Sequence, residues 1–154
     1  MKRSTLCYLE KDGCYLMMLR NKKKADVNAG KWIGVGGKFE EGETPDECLK
    51  REVLEETGVT LKAYVFVGVI GFRLEGSEDE DMYLYKATDW EGNVNMDCNE
   101  GTLKWIPKKE IPDLDLWEGD RLFLEKMLQG EDHINLDLFY KNDVLIESTE
   151  RREV

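Results

Sequence analysis

The chain has 154 residues, 41% of them hydrophobic and 36% charged, with a formal net charge of −11. That length and balance fit one globular domain over residues 1–154 rather than a disordered or membrane-embedded chain. The acidic balance argues against stable binding to nucleic acid, which basic faces hold through its phosphates. A small anionic ligand would need a local cation, which a metal ion could supply.

In chain order, the first residues reach Asp12 and Gly13 before any long apolar run develops, so no signal peptide is expected. No run approaches the length of a bilayer span. Residues 4–10 and 14–20 are strand-forming runs separated by "KDG", which predicts a hairpin. Residues 21–30 are polar and read as a loop, followed by the glycine-spaced apolar run "KWIGVGGKF" at 31–39. Residues 61–74 and 81–88 alternate well enough to be strands, and 101–107 is a further short strand. Residues 117–130 place Leu124, Met127 and Leu128 at helical spacing and stop at Gly130. A closing hairpin is predicted from residues 133–140 and 144–149 around "KND". Cys7, Cys14, Cys48 and Cys98 form no CxxC pair and His133 is the one histidine, so a zinc site is not expected. The scattered thiols are expected to be reduced and mostly buried, in a cytoplasmic protein.

A second helix is written most clearly. Thr44 suits an N-cap, Pro45 the first helical position, and Glu47 completes a capping box. Gly58 is a typical residue just past a helix end. On this helix Glu52 and Glu56 are four apart and Glu52 and Glu55 three apart, so one face carries all of them. Most charge runs are solvated surface. These glutamates, however, sit toward the helix C-terminus, where the helix dipole disfavours negative charge, and they do not alternate with lysines. A divalent cation resolves both conflicts. Magnesium takes oxygen ligands, commonly one or two carboxylates together with substrate phosphates.

Gly37, Glu43 and the run Arg51-Glu52-Val53-Leu54-Glu55-Glu56-Thr57-Gly58-Val59 match every fixed position of G-x5-E-x7-R-E-U-x-E-E-x-G-U, with U aliphatic. This stretch resembles the Nudix box. The order of strands and helices around it is similar to the Nudix fold, an α+β arrangement with a mixed β-sheet sandwiched between α-helices. The resemblance implies hydrolysis of a nucleoside diphosphate linked to another group, with magnesium, or manganese in its place, as cofactor. It implies that Glu52, Glu55 and Glu56 are metal carboxylates, that Glu52 orients or deprotonates the attacking water, and that Arg51 orients Glu52 or Glu43. It also implies that the Gly36 carbonyl joins the metal shell.

Beyond the box, "AGKWIGVGGKFEEGET", "LWEGD" and "LIESTERREV" resemble the MutT-type 8-oxo-purine nucleoside triphosphatases. That likeness implies substrate-binding roles for Lys23, Gly37, Lys38, Trp117 and Asp120, with Trp117 stacking on the base and Asp120 reading it. It implies a further metal glutamate at Glu100. Ile33 and Gly119 depart from the group, standing where an asparagine and a second aspartate occur. The resulting expectation is a monomeric enzyme that acts on a small-molecule nucleotide and binds neither nucleic acid nor membrane. It would cleave oxidised purine nucleoside triphosphates to monophosphate and pyrophosphate. The alternatives are a Nudix hydrolase for an ADP-ribose-type compound or an undamaged nucleotide, and a non-catalytic Nudix-fold binding module.

Two other motifs fail on their own terms. Residues 89–100 have oxygen ligands at EF-hand spacing but carry Val94 where the sharp turn needs glycine. "GGKF" lacks both the first glycine and the Ser/Thr of a phosphate loop.

Overall fold

The structure, a computed structural model, describes residues 1–22 and 28–151. In chain order the elements are β1 (Lys2–Lys11), β2 (Cys14–Leu19), β3 (Trp32–Ile33), β4 (Val35–Lys38), α1 (Pro45–Thr57), β5 (Thr60–Leu74), β6 (Glu80–Glu91), β7 (Thr102–Pro107), a 3₁₀ turn (Lys108–Asp113), α2 (Glu118–Leu128), β8 (Leu136–Lys141) and β9 (Val144–Glu150).

The β1–β2 hairpin turns at Asp12 and Gly13, both at positive φ (51° and 74°), as a two-residue turn matched to strand twist requires. The β8–β9 hairpin uses Asn142 and Asp143 in the same way. Strand β1 is the centre of the molecule. It pairs antiparallel with β4 through Leu6 and Gly36, and parallel with β6 through Leu6 and Leu84. Beyond β6 come β5, then β8 parallel to β5, then β9. Strand β2 leaves β1 after the turn and pairs with β3 and β7.

Alternation sorts the buried side chains to the two faces. Leu6, Tyr8, Met82 and Leu84 pack with Phe123, Leu124 and Met127 of α2. Cys7, Leu9, Tyr85 and Ala87 pack with Leu49 and Val53 of α1. The mixed sheet thus lies between two helices, as expected.

Three details differ from the sequence reading. Strand β6 continues to Glu91, three residues past the expected end, because Trp90 and Glu91 pair with Leu61 and Thr60 of β5. Strand β8 begins at Leu136, so residues 133–135 precede it. The 3₁₀ turn had no periodic signal to announce it. All four cysteines are free and three are buried. Among the described residues, no helix is long and apolar enough to cross a membrane.

Candidate active site

Helix α1 starts as its sequence demands. The Thr44 hydroxyl accepts from the Glu47 N–H at 3.1 Å, and the Glu47 carboxylate accepts from the Thr44 N–H at 3.0 Å. Gly58 ends it in the left-handed region, its N–H donating to the Leu54 carbonyl. Strand β4 then runs beside the carboxylate face. A Cβ on Gly36 would lie 2.0 Å from the Thr5 carbonyl oxygen, and a Cβ on Gly37 would lie 2.5 Å from the Glu52 carboxylate. Only glycine lets this backbone fit between β1 and α1. Gly37→Ala is therefore expected to push Glu52 aside. Turnover should fall about 10²-fold, the cost of an ångström-scale misplacement. The melting temperature should move little, because the displaced group is the end of a flexible side chain.

Arg51 organises the acidic residues. Its Nε and Nη2 donate to the two Glu43 carboxylate oxygens at 2.6 and 2.9 Å. Its Nη1 donates to Glu52 at 2.8 Å and to Glu55 at 3.3 Å, and Nη2 also reaches the Lys38 carbonyl at 3.0 Å. Glu40 completes the set, 3.1 Å from Nε. The resemblance left open whether Arg51 orients Glu52 or Glu43; it contacts both. The hydrogen bonds from Arg51 hold Glu43 at a pKa of about 2. Glu52 keeps a raised pKa, chiefly because it is partly buried, although Arg51 pulls the other way.

Glu56 is the buried member. One oxygen accepts the Gly36 N–H at 2.7 Å, which ties α1 to β4. Burial pushes its pKa up to about 9, and Glu100 and Glu52 add to the rise. Glu100 therefore stands beside the α1 glutamates, with Arg20 3.8 Å away. Glu55 lies at the outer edge, exposed apart from Arg51.

This donor set fits a divalent cation. Carboxyl oxygens of Glu52, Glu56 and Glu100 are gathered here, and burial with mutual repulsion opposes ionisation of Glu52 and Glu56, which a cation would relieve. Among the described residues, no three acidic, thiol or imidazole groups form a ready cage. Magnesium does not demand one, since it keeps several waters and shares substrate oxygens.

The candidate base site lies at the other end of segment 31–38. Trp117 precedes α2; its indole N–H donates to Asn28 at 2.8 Å, and the Lys31 ammonium sits 5.2 Å over its ring. Tyr140 meets the indole edge-on. The Trp32 N–H donates to the Asp115 carbonyl, which holds this segment against the chain leading into Trp117. Asp120 is buried and makes no hydrogen bond among the described residues; burial raises its pKa to about 7. Gly119 has a local reason as well: its N–H donates to the Tyr140 hydroxyl at 2.8 Å, and a Cβ there would lie 2.5 Å from that oxygen. Lys38 is exposed and meets the site through its carbonyl. Lys23 lies outside the described residues. The loop once compared with an EF-hand is flanked by β6 and β7, not helices.

Sequence reasoning missed Tyr8. It is fully buried beneath Gly34 and against Tyr15 and Phe123.

The NUDIX domain family matches residues 2–127. The chain is 34% identical over 131 residues to a zebrafish (Danio rerio) protein named oxidized purine nucleoside triphosphate hydrolase, covering 84% of this chain and 83% of that one. It is 33% identical over 138 residues to the mouse (Mus musculus) protein of the same name, covering 89% and 87%. Its fold superimposes on the crystal structure of a MutT protein from Bacillus halodurans with a TM-score of 0.85 at 28% identity, covering 97% of each chain. With the box residues gathered on α1 and β4 as described, and a family match over most of its length, the chain belongs to the Nudix hydrolase family.

Proposed function

We propose that the protein hydrolyses oxidised purine nucleoside triphosphates of the 8-oxo-dGTP type to the monophosphate and pyrophosphate, with magnesium as cofactor and residues 1–154 acting as one domain in the cytoplasmic nucleotide pool. The observation that carries this reading is that one short segment serves two sites. Residues 31–38 touch Trp117 at one end through Lys31, and Glu56 at the other through the Gly36 N–H. A nucleotide laid along the segment would put its base on Trp117 and its phosphates at the glutamates. The names of the zebrafish and mouse relatives support the same substrate class.

The geometry supports the following roles. When bound, the metal would neutralise diphosphate charge and make a water more acidic. Glu56 and Glu100 would hold it. Glu52 would position the attacking water and take its proton, and its raised pKa favours that task. Arg51 would hold Glu52 while Glu43 holds Arg51.

Product formation from 8-oxo-dGTP and dGTP (monophosphate and pyrophosphate) and from ADP-ribose (AMP and ribose 5-phosphate), with and without magnesium, tests the reading. Preference for 8-oxo-dGTP is expected; preference for ADP-ribose or plain dGTP would replace the substrate while keeping the family. Trp117→Ala should weaken nucleotide binding about ten- to a hundredfold, since base stacking contributes ~1–3 kcal/mol. Stacking discriminates little among bases. Asp120→Asn should therefore alter the 8-oxo-dGTP to dGTP ratio of kcat/KM more than Trp117→Ala does. An unchanged ratio in Asp120→Asn would remove Asp120 from base recognition.

A further inference from the structure

Helix α2 begins against a local rule. Trp117 is its N-cap residue, and the indole makes no cap hydrogen bond. That position is normally held by Ser, Thr, Asp or Asn, whose side chains accept one of the first orphan N–H groups of the helix. A tryptophan there leaves those donors to find partners elsewhere. Gly119, the second residue of α2, is buried, so its N–H needs a partner from the protein.

The partner comes from β8. The Tyr140 hydroxyl accepts the Gly119 N–H at 2.8 Å. Tyr140 is itself buried, and its backbone is paired with Leu74 of β5 on one side and Leu145 of β9 on the other. The register of β8 against β9 shifts between Phe139 and Tyr140, the kind of irregularity that re-aims a side chain. The same ring meets the Trp117 indole edge-on, with centroids 6.1 Å apart and planes at 87°. Tyr140 therefore touches the start of α2 twice, at the indole and at the residue just before Asp120. Gly119 is fitted to it, since an added Cβ would lie 2.5 Å from the hydroxyl oxygen.

We propose that Tyr140 is a positioning residue for the base. Its hydroxyl caps α2 from the sheet, which releases the N-cap position from capping and holds the tryptophan there ready to stack. This rests on the nucleotide reading given above; Tyr140 touches no substrate in it and acts through Trp117. A side chain fixed before the ligand arrives loses less freedom on binding, so the gain lies in affinity and not in the chemistry at the glutamates.

The test is KM and kcat for 8-oxo-dGTP in Tyr140→Phe, made both in the parent and in Trp117→Ala. The substitution keeps the ring and removes the cap. In the parent it should raise KM about three- to tenfold, the scale of one neutral hydrogen bond, with kcat near the parent's. In Trp117→Ala it should change KM by less than about twofold, because the residue it acts through is gone. A merely structural tyrosine would lower the melting temperature and leave KM unchanged in both backgrounds, and that result overturns the proposal. An equal rise of KM in both backgrounds overturns it as well. Should the variant not fold, amide exchange at Gly119 in the parent answers instead. By linkage, a base that binds better to the fastened turn must also fasten it, so saturating 8-oxo-dGMP should slow exchange of the Gly119 N–H, and an unchanged rate overturns the proposal. If Trp117→Ala weakens binding while Tyr140→Phe does not, the Tyr140 role alone falls. If Trp117→Ala itself leaves KM unchanged, the stacking reading falls and this one with it.

Discussion

Glu56→Gln is expected to lower kcat by at least about 10²-fold while leaving the metal-free protein as stable as its parent. The two halves have one cause. In the folded, metal-free chain the Glu56 pKa is about 9, so at neutral pH the side chain is a neutral acid accepting the Gly36 N–H. A glutamine carbonyl can accept the same hydrogen bond and occupies the same space. What it cannot do is lose a proton and present an anionic oxygen to a cation, and loss of one preorganised charge at a phosphoryl-transfer site costs on this scale. Steady-state kinetics with saturating magnesium and a thermal melt in chelator measure the two halves separately. Near-parental turnover would remove Glu56 from the metal set; a large fall in melting temperature would show that its carboxylate has a structural task.

The second large effect is on stability as a function of pH. Burial raises Glu56 from the usual 4.5 to about 9 and Asp120 from the usual 3.8 to about 7. For each, the folded state keeps a proton that the unfolded state has already lost, so folding is favoured at low pH and the advantage fades as pH rises. Asp120 acts between its two values and is spent by about pH 7, which leaves the slope above pH 7 to Glu56. One proton is linked to ~1.4 kcal/mol per pH unit, so the metal-free protein should lose about 2–3 kcal/mol between pH 7 and 9. That is on the order of 4–12 °C in melting temperature for a chain this long. Glu56→Gln should flatten the curve in that window, and magnesium should flatten it too by holding Glu56 ionised. Parallel curves for parent and variant would contradict the burial of this carboxylate.

How much of this could be read from the sequence depended on whether the signal was local. Helix α1 was legible to the residue because Thr44, Pro45, Glu47 and Gly58 act within one turn of where they stand. The convergence of Glu52 and Glu56 was legible for the same reason. Glu100 was reachable only through the family likeness, because a loop after β6 brings it to α1. The Gly36 N–H bond to Glu56 and the clamp of Arg51 on Glu43 span 20 and 8 residues and follow from how β4 docks, which no periodicity encodes. Tyr8 was hidden by its strand. Residues 4–9 are all buried, so alternation gives two faces without saying which one meets α2. The same ignorance of partners explains why the parallel pairing of β1 with β6 went unforeseen.

The shared segment 31–38 has a consequence for the size of the molecule that can react. From Trp32 to Gly36 is four residues, at most about 13 Å of extended chain. Both ends are fastened: Trp32 to the Asp115 carbonyl, Gly36 to Glu56 and to β1. On the proposed reading this stretch of backbone is a ruler. It measures the distance between a stacked base and the anhydride that breaks, and a β1-anchored strand does not stretch to suit a longer spacer. Side chains around the base then choose among nucleotides, while the backbone has already rejected anything whose reactive phosphates lie at the wrong remove from its ring.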